Sequence, residues 1–90
     1  MKSMSPYLAE FLGTLFFLFV IIFTGQPVPI GLALIIVILI LGKFSGGHFN
    51  PAVTIMMVFA KKLNAIDALP YILAQIIGGL AALFIYKNIK

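Results

Sequence analysis

The residues best suited to chemistry sit in one short run, Asn50-Pro51-Ala52. Asn is a preferred helix N-cap and Pro a preferred first helical residue, so the run predicts the start of a helix. The Asn50 side-chain oxygen is expected to accept an orphan N–H, that of Val53 or a neighbour. Its amide NH2 is then left pointing away from the helix. A helix N-terminus carries roughly half a positive charge. Deep in a bilayer, such an end and its free amide hold the oxygen of a neutral solute and disfavour cations, protons included. A routine capped helix lying along the membrane interface uses the same residues, and both readings stand from Asn50-Pro51-Ala52 alone.

Two other side chains invite chemistry. Glu10 falls beside a long apolar run, where a carboxylate must be paired or hydrogen-bonded, or else lie shallow enough to reach interfacial water. His48 precedes Asn50 by two residues and fits either a pore wall or loop packing; one lone His makes no metal site. Glu10, Asp67 and His48 form no acid–base or nucleophilic set, and the lack of Cys excludes thiolate metal sites, thiol catalysis and disulfides. Neither an enzyme nor a cofactor is expected.

The elements that position these residues follow from composition. The chain is 63% hydrophobic and 9% charged, with a mean hydropathy of +1.24. A soluble domain carries roughly 25% charged residues, so the solvent of this chain is lipid. The net charge of +4 comes from scattered Lys with no Arg, unlike the clustered basic faces of nucleic-acid binders. At about 20 residues per span, 90 residues allow three membrane helices at most.

No charge occurs from residue 11 to residue 42, too long a run for one straight span. Thr24-Gly25-Gln26-Pro27-Val28-Pro29 supplies the break. The first span is expected at about 6–23, with Ser5 as its cap, and the second at about 28–44. A third, at about 67–86, starts behind Lys61, Lys62, Asn64 and Asp67, with Tyr71 and Tyr86 as interfacial rings and Pro70 in its first turn. No small-x-small site follows the apolar run 11–23, so a cleaved signal peptide is not expected.

Between the second and third spans, residues 51–62 are apolar but too short to cross. The irregular stretch before them is tolerated at membrane depth only where protein or a watery cavity satisfies its backbone. A re-entrant loop and half-helix over about 45–62 is therefore expected. Ala74, Gly78 and Ala82 recur every fourth residue, a stripe that lets helix backbones approach closely. The fold class is an all-α membrane protein, multi-pass, with three transmembrane helices and one re-entrant half-helix, the whole of 1–90 forming a single unit.

The run Ser45-Gly46-Gly47-His48-Phe49-Asn50-Pro51-Ala52-Val53-Thr54 resembles the first signature loop of the aquaporin and aquaglyceroporin (major intrinsic protein) family. Ala9-Glu10-Phe11-Leu12-Gly13-Thr14 is similar to that family's first-helix motif, and Ala74-Gln75 with Gly78 resembles its third helix. The resemblance implies a pore for water or small neutral solutes such as glycerol. In the family, Asn-Pro-Ala half-helices from two inverted repeats meet at the membrane midplane, and Asn50 would be one of the two donors. The carbonyls of Gly46, Gly47 and His48 would line the pore, and Glu10 would brace the loop by accepting its N–H groups. The second-helix filter position falls on Ile30, where strict water channels usually carry an aromatic; an aliphatic residue implies a wider, more apolar filter.

The family's chain has six spans and two such motifs, whereas this sequence has three spans and one, so it reads as the N-terminal half-repeat. A partner half, or an antiparallel copy of the same chain, would have to complete the pore. With the N-terminus cytoplasmic, Lys2, Lys43, Lys61 and Lys62 fall inside while Lys87 and Lys90 fall outside, a mild bias toward one orientation. The alternative is a non-conducting membrane protein that keeps the half-fold. The expected partners are the lipid bilayer, the solute, and a homo-oligomer or partner half-channel.

Overall fold

A computed structural model describes residues 3–89, which form four helices and no strand. Helix α1 spans Pro6–Thr24. Ser5 Oγ caps it by accepting from the N–H groups of Tyr7 and Leu8, and Gly25 ends it at φ +59°, its N–H returning to the Ile21 carbonyl. Helix α2, Pro27–Ser45, follows after the two residues Gly25 and Gln26. Both prolines expected to break the chain sit inside α2's first turn, where an N–H would have had no partner. The break is the glycine.

Helix α3 is Pro51–Phe59, nine residues and about 13 Å long. It stops three residues short of the expected Lys62 because Lys61 turns to φ +61° and the N–H groups of Lys61 and Lys62 fold back onto the Val58 and Met57 carbonyls. Helix α4, Ala65–Ile89, extends beyond the expected span at both ends. Asp67 therefore lies in its first turn, where a carboxylate suits the helix dipole. Pro70 falls in the second turn rather than the first and removes one backbone hydrogen bond.

Helices α1, α2 and α4 are each long and apolar enough to cross a membrane. Helix α1 packs against both α2 and α4, α3 packs against α4, and α2 reaches α4 through its last residue, whose carbonyl accepts from Tyr71. The α1–α4 seam is backbone against backbone. A Cβ on Gly78 would stand 2.7 Å from the Phe11 carbonyl oxygen and 3.2 Å from the Leu15 nitrogen, so the small-residue stripe serves this packing. The outside is apolar and the inside holds polar groups: Leu39, Phe59 and Ile66 are exposed, while Glu10, Thr14, Thr54 and Gln75 are buried. That inversion suits a chain dissolved in lipid and lets Glu10, Thr54 and Gln75 meet one another, while Thr14 Oγ1 is buried without a partner among the described residues.

The three spans fix the direction of α3. Tyr7 Oη donates to Asp67 Oδ1 at 2.6 Å and Ser45 Oγ to Glu10 Oε2 at 2.6 Å, so α1 and α4 begin, and α2 ends, on one side of the membrane. Lys43, Lys61 and Lys62 lie on that side and Lys87 on the other; Lys2 and Lys90 are outside the described residues. From that side the chain dips inward to Asn50, which shares a cavity with Thr14, Phe17 and Leu18 of α1 and Gln75 and Gly79 of α4. Those residues flank the midpoints of both long helices. Helix α3 thus starts at mid-height and runs back toward the side it came from.

Candidate functional site

Asn50 holds an extended backbone, φ −164° and ψ 126°, and its Oδ1 accepts the Ala52 N–H at 2.7 Å. The cap reaches one residue earlier than Val53. Asn50 is exposed and its Nδ2 has no partner among the described residues. It opens onto a cavity of about 390 Å³ whose walls include Phe17, Leu18 and Ile76 on the apolar side and Thr14 and Gln75 on the polar one. Pro51 follows as the first helical residue, beside the cavity, and Ala52 takes the cap.

The loop before Asn50 is shaped by its N–H groups. Gly47 N donates to Ser45 Oγ at 3.2 Å, His48 N to Glu10 Oε2 at 3.1 Å and Phe49 N to Glu10 Oε1 at 2.7 Å. In a trans peptide the N–H and the preceding C=O point opposite ways, and no peptide here is cis. With three successive N–H groups turned toward Glu10 and Ser45, the carbonyls of Gly46, Gly47 and His48 are turned away. None of the three accepts a hydrogen bond from a described residue. The path requires Gly46 at φ +92° and Gly47 at φ +72°, a region costly for any residue with a Cβ.

Phe49 adopts that costly region as well, at φ +54°. The strain is offset by the short bond to Glu10 and by a ring that is 1% exposed and packed onto Gly13.

Glu10 is fully buried and accepts four hydrogen bonds, from Ser45 Oγ, two loop amides and Gln75 Nε2 at 2.9 Å. A carboxylate in a membrane interior survives only with its lone pairs used in this way. The network extends outward. Gln75 Nε2 also donates to Thr54 Oγ1 at 2.8 Å, Thr54 Oγ1 meets His48 Nδ1 at 2.9 Å, and Tyr71 Oη donates to the Ser45 carbonyl at 2.8 Å. Tyr71, near the start of its span, is 4% exposed, so its ring faces the protein rather than lipid or headgroups and seats the His48 ring, 5.0 Å between centroids.

The structure therefore gathers Glu10, Gly46, Gly47, His48, Asn50, Pro51 and Ala52 in one place. Ile30 stands apart, in the first turn of α2, roughly 20 Å along that helix from Ser45. Ser45, Thr54, Gln75 and Tyr71 join this network without a motif of their own that assigns them to it. A lone Gln or Thr inside an apolar span was the available signal, since such residues must find partners within the protein.

Three helices long and apolar enough to span a membrane, with a short helix and a bare backbone loop leading to its N-terminus, define an all-α integral membrane protein. The chain belongs to the major intrinsic protein family, whose model matches residues 21–90. Its relatives there are aquaporins and glycerol facilitators, channels for water and small solutes rather than enzymes. It is 47% identical to the glycerol uptake facilitator protein-like 6 of Lactiplantibacillus plantarum, over 88% of this chain and 41% of that one. It is 43% identical to aquaporin Z of Photorhabdus laumondii, over 67% of this chain and 26% of that one. It is 44% identical to the lens fiber major intrinsic protein of Gallus gallus, over 63% of this chain and 22% of that one. No solved structure matches it. The chain thus spans about two fifths or less of these relatives, and its fold corresponds to half of an aquaporin.

Proposed function

We propose that this chain is one half-repeat of a channel for water or small neutral solutes such as glycerol, completed by a second half-repeat. The observation that carries the reading is the start of α3 at mid-height, with the Asn50 amide unpaired and facing a cavity. In this reading Asn50 donates to the solute, the carbonyls of Gly46, Gly47 and His48 accept from it, and Glu10 holds them outward. Pro51 and Ala52 start the helix whose dipole repels cations. Ile30, at the far end of α2, is the filter residue on the opposite side of the midplane.

One half-helix reaches only the middle of the membrane. Copies inserted in the same orientation bring their half-helices in from the same side, and their tips cannot meet end to end. A two-fold axis in the membrane plane sets them tip to tip. An antiparallel pair of this chain, or a separate partner half, supplies that arrangement. Lys43, Lys61 and Lys62 against Lys87 give the described part only a mild preference between orientations.

Vesicles containing the chain are expected to shrink faster than empty ones under an osmotic step. Equal rates for chain shown to be inserted would overturn the reading. They would favour a second one, a non-conducting protein that retains the half-fold, which rests on there being one Asn-Pro-Ala within these 90 residues.

A further inference from the structure

The hydrogen bonds around Glu10 decide where the proton of the His48 imidazole sits. Ionised Glu10 only accepts, so the Gln75 amide turns its NH2 toward it and gives the other hydrogen to Thr54 Oγ1. Thr54 Oγ1 already receives one hydrogen and has its own to give. Thr54 is fully buried, and the other partner of that oxygen is His48 Nδ1 at 2.9 Å. A proton on Nδ1 would give Thr54 two incoming hydrogens and leave its own buried without an acceptor, a state that native interiors avoid. With Nδ1 bare, Thr54 donates to it and every hydrogen in the chain is placed.

We propose that His48 is neutral with its proton on Nε2, and that this N–H is a second donor on the solute path, at the outer end of the loop. This rests on the reading of the loop as a path for solute. Nε2 has no partner among the described residues, and it is not among the buried polar atoms cut off from the surface, as Thr14 Oγ1 and Gln75 Oε1 are. It stands 3.4 Å from where a Cβ on Gly46 would be, beside an exposed residue with no side chain to cover it. Tyr71 holds the ring from behind. The path then offers a donor at His48, three carbonyl acceptors, and a donor at Asn50. Water and polyols, which both accept and donate, satisfy that order. An ammonium ion, which only donates, meets another donor at each end.

His48 is the one His of the sequence, so the full chain in lipid bilayers gives a single imidazole spectrum. With 15N-labelled His, the expected result is a protonated Nε2, a bare Nδ1, and magnetisation transfer from mobile water to the Nε2 hydrogen. Thr54→Ser keeps that pattern, whereas Thr54→Val, which deletes the hydroxyl, brings in an Nδ1-protonated population. A proton on Nδ1, or on both nitrogens, in the unaltered chain overturns the assignment, and so does an Nε2 hydrogen out of contact with water. Should Thr54→Val fail to fold, the unaltered chain and Thr54→Ser still decide. Osmotic shrinkage is a separate readout: no flux beside a correct spectrum removes the channel reading and leaves the Nε2 assignment standing.

Discussion

The Phe49 ring occupies the space that any side chain on Gly13 would need. A Cβ built there would come within 2.7 Å of both Phe49 Cδ1 and Cζ. Through that contact the middle of α1 sets the depth to which the loop inserts, one residue before Asn50. Gly13→Ala is therefore expected to push the ring out and lower stability by about 1–3 kcal/mol, the usual range for overpacking. Unfolding in detergent measures the loss. Phe49→Leu in the same chain is expected to restore part of it, because the two changes share one site and do not add. Independent, additive effects would show that the ring is not the obstacle.

Glu10 joins α1 to the loop through His48 N and Phe49 N, and to α4 through Gln75. Glu10→Gln replaces one acceptor oxygen by an NH2, so at least one of four donors then faces another donor. A hydrogen bond to a charged group contributes about 1.5–3 kcal/mol, and a buried donor left alone adds its desolvation cost. Amide hydrogen exchange at His48 and Phe49 is expected to speed up by one to two orders of magnitude. Amides in the middle of α2, remote from the bonds that its last residue Ser45 makes to Glu10 and Tyr71, are expected to change little. Unchanged exchange at both loop amides would remove Glu10 from the role of support.

The spans and the loop were legible because their signals are local. Long uncharged runs mark α1, α2 and α4, and Asn50-Pro51 marks the start of α3 whatever surrounds it. Boundaries were read less well where a single backbone angle decides, as at Lys61. The network was hidden for a different reason. Ser45, Thr54, Gln75 and Tyr71 meet Glu10 and His48 only when all four helices pack, and nothing in their spacing along the chain announces that meeting. Tyr71 shows the limit most clearly: near the end of a span, a ring that anchors at the interface and a ring that faces inward have the same sequence signature. Asn50-Pro51-Ala52 likewise starts a helix at any depth, and only the packing puts Asn50 beside Thr14 and Phe17.

The α1–α4 seam gives a prediction away from the site. Gly78 lies against the Phe11 carbonyl oxygen and the Leu15 nitrogen, backbone atoms that cannot step aside. Gly79 meets the end of the flexible Leu18 side chain instead. Gly78→Ala is thus expected to separate the helices and destabilise the chain, by about 1–3 kcal/mol. Gly79→Ala is expected to cost clearly less, since Leu18 can change rotamer. Equal losses in a detergent unfolding series would mean that the seam is not held by backbone contact.

The last prediction concerns charge at the tip of α3. Asn50→Asp retains a good N-cap, so the half-helix is expected to keep its start and its cap bond to Ala52 N. What changes is the free end of the side chain, from an NH2 donor to part of a carboxylate, one negative charge against roughly half a positive one from the helix dipole. The sign of the local field therefore reverses, and a tip that repelled cations attracts them. In vesicles, the altered chain is expected to admit sodium ions or protons that the unaltered chain excludes, while osmotic shrinkage continues. Far-ultraviolet circular dichroism indistinguishable from the unaltered chain would separate this charge effect from loss of fold. Were vesicles carrying the Asn50→Asp chain to stay cation-tight while still passing water, exclusion would not depend on the α3 tip, and the carbonyl loop alone would have to account for it.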